Sequence, residues 1–243
     1  MKRVPAVLAM CSALATTLSA ADTFSGTAHT WPDTFVTRLE ALALLQTLNA
    51  ELLSHDSATQ TLSQWCADHR LAAEPKIVAQ RVRSAAAAAP AASEELRRDL
   101  HAAPGEELRF RHVRLLCGSL VLSEADNWYV PGRLSAAMNA QLETSDVPFG
   151  VVVRELHFQR HTLAARLLWQ PLARGWETHA TEAAASRPGA DASTGAGELA
   201  VPASVLEHRA LLALPDGTPI SEVVETYSGN VLAFPLPQSP ARR

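Results

Sequence analysis

The sequence predicts an α+β protein: an antiparallel β-sheet preceded by an N-terminal helical hairpin, with helices covering a buried pocket. Leu39, Leu42, Leu45, Leu48 and Leu52 recur at three- and four-residue spacing, the period of an amphipathic helix. From Glu107 onward the period shortens to two, as in strands with one covered face. Two runs of this kind turn back at Gly118-Ser119 and at Pro215-Asp216-Gly217, which makes the pairing antiparallel.

The elements follow in order. Met1, Lys2 and Arg3 precede an apolar stretch from Val4 to Leu18, and then come the small residues Ser19, Ala20 and Ala21. That layout is a cleavable export signal over residues 1–21, too short to span a bilayer, and it leaves no membrane span in the mature chain. Lipidation at Cys11 is disfavoured by the bulk of Met10 before it. Export implies a periplasmic or secreted protein, and residues 22–243 read as one domain. Phe35 to Leu53 is the first helix, broken by His55, Asp56 and Ser57; either of the last two could cap a second helix ending near His69. Lys76 to Val82 alternates weakly, as a first strand would. Residues 84–92 form an Ala-rich connector, followed by a short helix from Ser93 to His101. Leu108 to Cys117 is a strand, partnered through Val121-Leu122 and Asn127 to Val130. Leu134 to Leu142 is helical, Pro148-Phe149-Gly150 is a turn, and Val151 to Phe158 and Thr162 to Trp169 are further strands. Residues 180–197 hold only small, polar and turn residues and read as a disordered insertion. Leu206 to Leu214 and Ile220 to Tyr227 form a closing hairpin.

Composition excludes several function classes. The formal net charge is −4, two positive charges leave with the signal, and no Lys/Arg cluster could neutralise a phosphate backbone, so no nucleic acid partner is expected. His157 and His161 have a four-residue spacing but no third ligand nearby, so no metal is expected. Ser123 lacks the Gly-x-Ser-x-Gly elbow of a hydrolase. After signal removal Cys66 and Cys117 remain and could pair in an oxidising compartment, although Cys117 in its apolar run also reads as a small buried hydrophobe.

Two observations point to a site. Strand alternation puts Arg109 and Arg111 on the face of Val113, Leu115 and Cys117, opposite Phe110, His112, Arg114 and Leu116. A guanidinium on a covered face requires a carboxylate, from a side chain or from a ligand, unless it snorkels to water from the strand end. Glu222 and Glu225 fall on opposite faces of the last strand, so one of them points inward. An inward carboxylate acts as an acid or pairs with an arginine.

The order of elements from Leu45 to Tyr227 resembles the chorismate lyase family. Leu52-Leu53-Ser-His-Asp56-Ser57-Ala-Thr59 is similar to its helix junction, Arg111-His-Val-Arg-Leu-Leu-Cys-Gly118 to its arginine strand, Pro148-Phe149-Gly150 to its Pro-Leu-Gly turn, and Asp216-Gly217-Thr-Pro219 with Glu225-Thr-Tyr to its closing strand. The chain departs from the family at Asp126-Asn127-Trp128, where lyases carry a further arginine. The resemblance implies that Arg111 binds a substrate carboxylate, that Glu225 moves a proton with Glu222 as its rival, and that Ala58, Phe149 and Gly150 line the pocket. It implies pyruvate elimination from chorismate to give 4-hydroxybenzoate, without cofactor or metal. The same fold serves as an effector-binding domain in regulators, so the other reading is a non-catalytic periplasmic binder of a small aromatic or carboxylated ligand, chorismate or 4-hydroxybenzoate-like. A monomer is expected in either case.

Overall fold

The computed structural model describes residues 31–82, 90–178 and 197–236. The expected signal at 1–21 and most of the Ala-rich connector and of the 180–197 insertion lie outside the described residues. Helix α1 (Phe35–Ser54) and helix α2 (Ala58–Asp68) form the hairpin. Thr34 caps α1 by accepting from Thr37 N, and Ser57 caps α2 by accepting from Gln60 N. Each cap satisfies an amide that the helix itself leaves open.

Strands β1 (Ile77–Arg81), β2 (Arg109–Cys117), β3 (Leu120–Tyr129), β4 (Gln159–Leu167), β5 (Ser204–Ala213) and β6 (Pro219–Ser228) make one antiparallel sheet in the order β1-β2-β3-β6-β5-β4. The last strand therefore sits between β3 and β5, at the centre. Helices α1 and α2 cover one face. Leu45, Leu48, Leu52, Leu62 and Trp65 pack there on Leu115, Leu206 and Tyr227. Trp31 Nε1 and Trp65 Nε1 donate to the carbonyls of Phe234 and Val231, which ties the C-terminal segment beneath the hairpin. Helix α3 (Glu94–Asp99) covers the other face through Leu96, against Trp128, Val130 and Leu211.

Cys66 of α2 and Cys117 of β2 form a disulfide, with their Cα atoms 6.2 Å apart. Cys117 is therefore a covalent tie and not merely a buried hydrophobe. Among the described residues no helix is long and apolar enough to cross a membrane.

Two expected elements differ. The interrupted partner strand is one continuous strand, β3. Val151 to Phe158 is not a strand: helix α4 (Ala136–Thr144) leads to a short helix α5 (Phe149–Val152), a 3-10 turn at Arg154–Leu156, and His157 with φ of 51°. A β-branched run favours strand, but here Val152 and Val153 are buried against a cluster containing Tyr129, Leu142 and Leu212, and that packing overrides propensity.

Candidate functional site

Two neighbouring cross-strand rows define the floor beneath the hairpin. One runs Arg111, Asn127, Val223, Ala210 across β2, β3, β6 and β5; the next runs Val113, Ala125, Glu225, His208. Above them, Asp56 to Thr59 at the start of α2 and Pro148, Phe149 and Gly150 at the start of α5 close a cavity of about 60 Å³. The apolar floor is Val113, Leu115, Ala125 and Val223, and the polar residues that line the cavity are Asn127, Arg160 and Glu225 from the sheet and Asp56, Ser57 and Thr59 from the start of α2. The cavity thus brings together Ala58, Phe149, Gly150 and Glu225 of the sequence expectations. Arg111 is not itself a lining residue; its neighbour along the strand, Val113, and its partner across, Asn127, both line the cavity.

Arg111 is 2% exposed. Its Nη2 donates to Ser145 O at 3.0 Å, while Nε and Nη1 are buried without a partner. Burial, and secondarily the charge of Arg81, push its pKa down, yet a guanidinium stays protonated. The result is a buried cation with no carboxylate within ion-pair distance among the described residues. Opposite it, Asn127 is 3% exposed; its Nδ2 donates to Ser221 Oγ at 2.8 Å and its Oδ1 is unpartnered.

Glu225 has a different standing. Arg160 Nη2 donates to its Oε2 at 2.6 Å and Tyr227 Oη to the same oxygen at 3.1 Å, both in the interior. Burial pushes the Tyr227 hydroxyl well above its usual pKa, so it remains a donor. Glu225 thus accepts from a guanidinium and a phenol, the arginine pairing that the sequence left open beside a part in proton transfer. Glu222, the rival, is outside this cavity. It lies on the α3 face, where Arg209 Nε donates to it at 2.6 Å. Burial raises its pKa against the pull of Arg209.

Sequence reasoning missed Arg160. It sits two residues into β4, in a segment read as a turn between two strands, and its partner is 65 residues away. The only local signal is that Arg160, Thr162 and a one-residue bulge continue the alternation of β4. Asn127 was noticed only as a departure from the lyase pattern, although its place opposite Arg111 follows from the hairpin register.

Over 208 residues the chain is 51% identical to the uncharacterized protein y4mC of Sinorhizobium fredii (strain NBRC 101917 / NGR234), covering 85% of this chain and 83% of that one. The chain belongs to that protein's family. No family model matches it. Among solved structures it is similar to the effector domain of PhnF from Mycobacterium smegmatis, at 14% identity with a TM-score of 0.37, covering 64% of this chain and 82% of that one. It is similar also to a GntR-family transcriptional regulator from Enterococcus faecalis V583, at 14% identity with a TM-score of 0.37, covering 67% and 99%. Against the Bacillus subtilis chain described as a possible transcriptional regulator, YydK, identity is 11% and the TM-score 0.36, and this chain covers 66% of its own length and 62% of the other. The assignment to the chorismate lyase family is corrected by these findings: the three structures named are described as transcriptional regulators or an effector domain of one, and none of the findings shows the lyase family. Likeness at this level concerns the fold class and transfers no residue's role.

Proposed function

We propose that this chain is a binding protein for a small carboxylate, held beneath the helical hairpin with Arg111 as the anionic anchor. The observation that carries the reading is the pair of unpartnered donors on a guanidinium that is 2% exposed. Burying a charge costs several kcal/mol unless an opposite charge or hydrogen bonds compensate it. The protein leaves that compensation open at Arg111, and the bound carboxylate supplies it, in the fork geometry that a guanidinium presents. Binding without turnover agrees with Glu225, whose inward carboxylate is already engaged by Arg160 and Tyr227. Ala58, Phe149 and Gly150 wall the site, and Glu222 takes no part in it.

The layout of residues 1–21 adds the proposal that the protein works in the periplasm or outside the cell. The Cys66–Cys117 disulfide supports it, because such bonds persist in oxidising compartments. An exported product whose N-terminal sequence begins at Met1 would sink the export proposal.

The binding reading is tested by titrating the purified chain calorimetrically with short monocarboxylates, beginning with propanoate. Arg111→Met is expected to lower affinity roughly ten- to hundredfold, the range of a charge-assisted hydrogen bond, with folding intact. Arg114→Gln, on the opposite face, is expected to leave affinity unchanged. Equal affinities in parent and Arg111→Met would overturn the reading.

A further inference from the structure

The polar groups that remain open around the cavity specify more than a negative charge. Arg111 offers Nε and Nη1, which are donors, whereas Asn127 Oδ1 is an acceptor, buried and unpartnered on the cavity wall. In the structure Nδ2 donates to Ser221 Oγ, which leaves Oδ1 as the open end of the amide. A ligand that brought only a carboxylate would satisfy Arg111 and seal Oδ1 away from water without a donor, which is penalised. The ligand must therefore carry an O–H or N–H donor beside its acidic group, because Arg111 and Asn127 are direct cross-strand partners whose side chains share a face about 5 Å apart.

Charge decides between the two donors. Among the described residues the hairpin face buries two cations, Arg111 and Arg160, and one anion, Glu225, leaving a single positive charge there; the other buried carboxylate, Glu222, is paired with Arg209 on the opposite face. Arg81 and Asp146 lie at the Arg111 end and oppose each other. Asp56 is at the exposed rim, where its Oδ1 accepts from the backbone N of Arg160. A hydroxyl donor leaves the ligand with a net charge of −1, which neutralises the site. An ammonium would make the ligand a zwitterion of zero net charge, leaving the surplus buried. The cavity of about 60 Å³ suits a ligand of a few heavy atoms. At roughly 10–15 Å³ per water, that is the space of about four to six waters.

We infer that the ligand is a small hydroxycarboxylate, its carboxylate on Arg111 and its hydroxyl donating to Asn127 Oδ1. This rests on the carboxylate-binding reading above and deepens it. The test compares three probes of one size, lactate (both enantiomers), propanoate and alanine, by calorimetry on the full chain. One lactate enantiomer is expected to bind at least about tenfold more tightly than propanoate, the scale of one buried hydrogen bond made or lost. Alanine is expected to bind more weakly than that enantiomer. In Asn127→Leu the lactate-to-propanoate ratio should fall to near one, with propanoate affinity itself little changed. The ratio in the parent decides the matter even if that variant does not fold. If propanoate binds as tightly as lactate, or alanine binds more tightly, the hydroxycarboxylate inference is overturned, while loss of propanoate binding in Arg111→Met would leave the carboxylate reading standing. If none of the three binds, both fall.

Discussion

Arg111 and Arg209 are both arginines of strands one in from an edge of the sheet, β2 and β5, one on the face beneath α1 and α2 and the other on the face beneath α3. Arg209 donates to three carboxylates, Glu222 and Asp99 at 2.6 Å and Glu95 at 2.7 Å, and these raise its pKa further. Arg111 is more deeply buried and, among the described residues, is held by one backbone carbonyl. The α3 face thus uses its charges to fasten a short helix to the sheet, and the hairpin face leaves one charge uncompensated next to a cavity. Burial alone does not separate a structural arginine from a functional one. The inventory of partners does, because a protein under selection only for stability has no reason to retain a buried cation without an anion.

The largest expected effect tests the buried charge pair of the hairpin face, Arg160 with Glu225. Glu225→Gln leaves the Arg160 guanidinium buried without its anion, and breaking a buried pair in this way costs about 3–5 kcal/mol. Chemical denaturation should show a loss of that order; a loss below 1 kcal/mol would mean that the pair is hydrated. Next in size is the covalent tie of the same face. Reducing Cys66–Cys117, or replacing both cysteines with serine, should cost about 2–4 kcal/mol, with the two treatments agreeing when unfolding is followed by circular dichroism.

A smaller pair of effects sharpens the contrast between the arginines directly. Arg209→Met strands three carboxylates and should destabilise by on the order of 1–2 kcal/mol, with propanoate affinity unchanged. Arg111→Met should do the reverse, holding or raising the melting temperature while lowering propanoate affinity roughly ten- to hundredfold, since an apolar isostere removes an uncompensated charge. If Arg111→Met were the more destabilising of the two, the assignment of roles would be inverted.

The smallest effects come from two histidines, one on each face. Asp126 donates charge compensation to His112 through a 2.6 Å bond and raises its pKa, so its contribution is present below the ordinary histidine range and is lost as pH rises through the raised value. His208 is fully buried, its Nε2 bonded to Asn49 Oδ1; burial, with the charge of Arg160, lowers its pKa. Its contribution is present above the ordinary range and is lost as pH falls. Between pH 7.5 and 5.5, stability should therefore fall more steeply than in the parent for His112→Gln and less steeply for His208→Gln, as read from denaturation midpoints at each pH.

The sequence by itself determined the α+β class, the helical hairpin, the closing hairpin of β5 and β6, and the face on which Arg111 stands. All of these follow from local periodicity, because successive strand side chains alternate and helical ones recur every three or four residues. It determined also that Glu222 and Glu225 face opposite ways, but not which of them meets the cavity. The tertiary structure decided that, along with the pairing of Glu225 with Arg160, the disulfide, and the helical turns where Val151 to Phe158 favours strand. Each depends on β6 lying between β3 and β5 and on which helix lies over which row. Strand order brings together residues 65 apart in the chain, and no local period encodes it. That no carboxylate among the described residues pairs with Arg111 belongs to the same class, since only the packed neighbourhood shows what a charge has not been given.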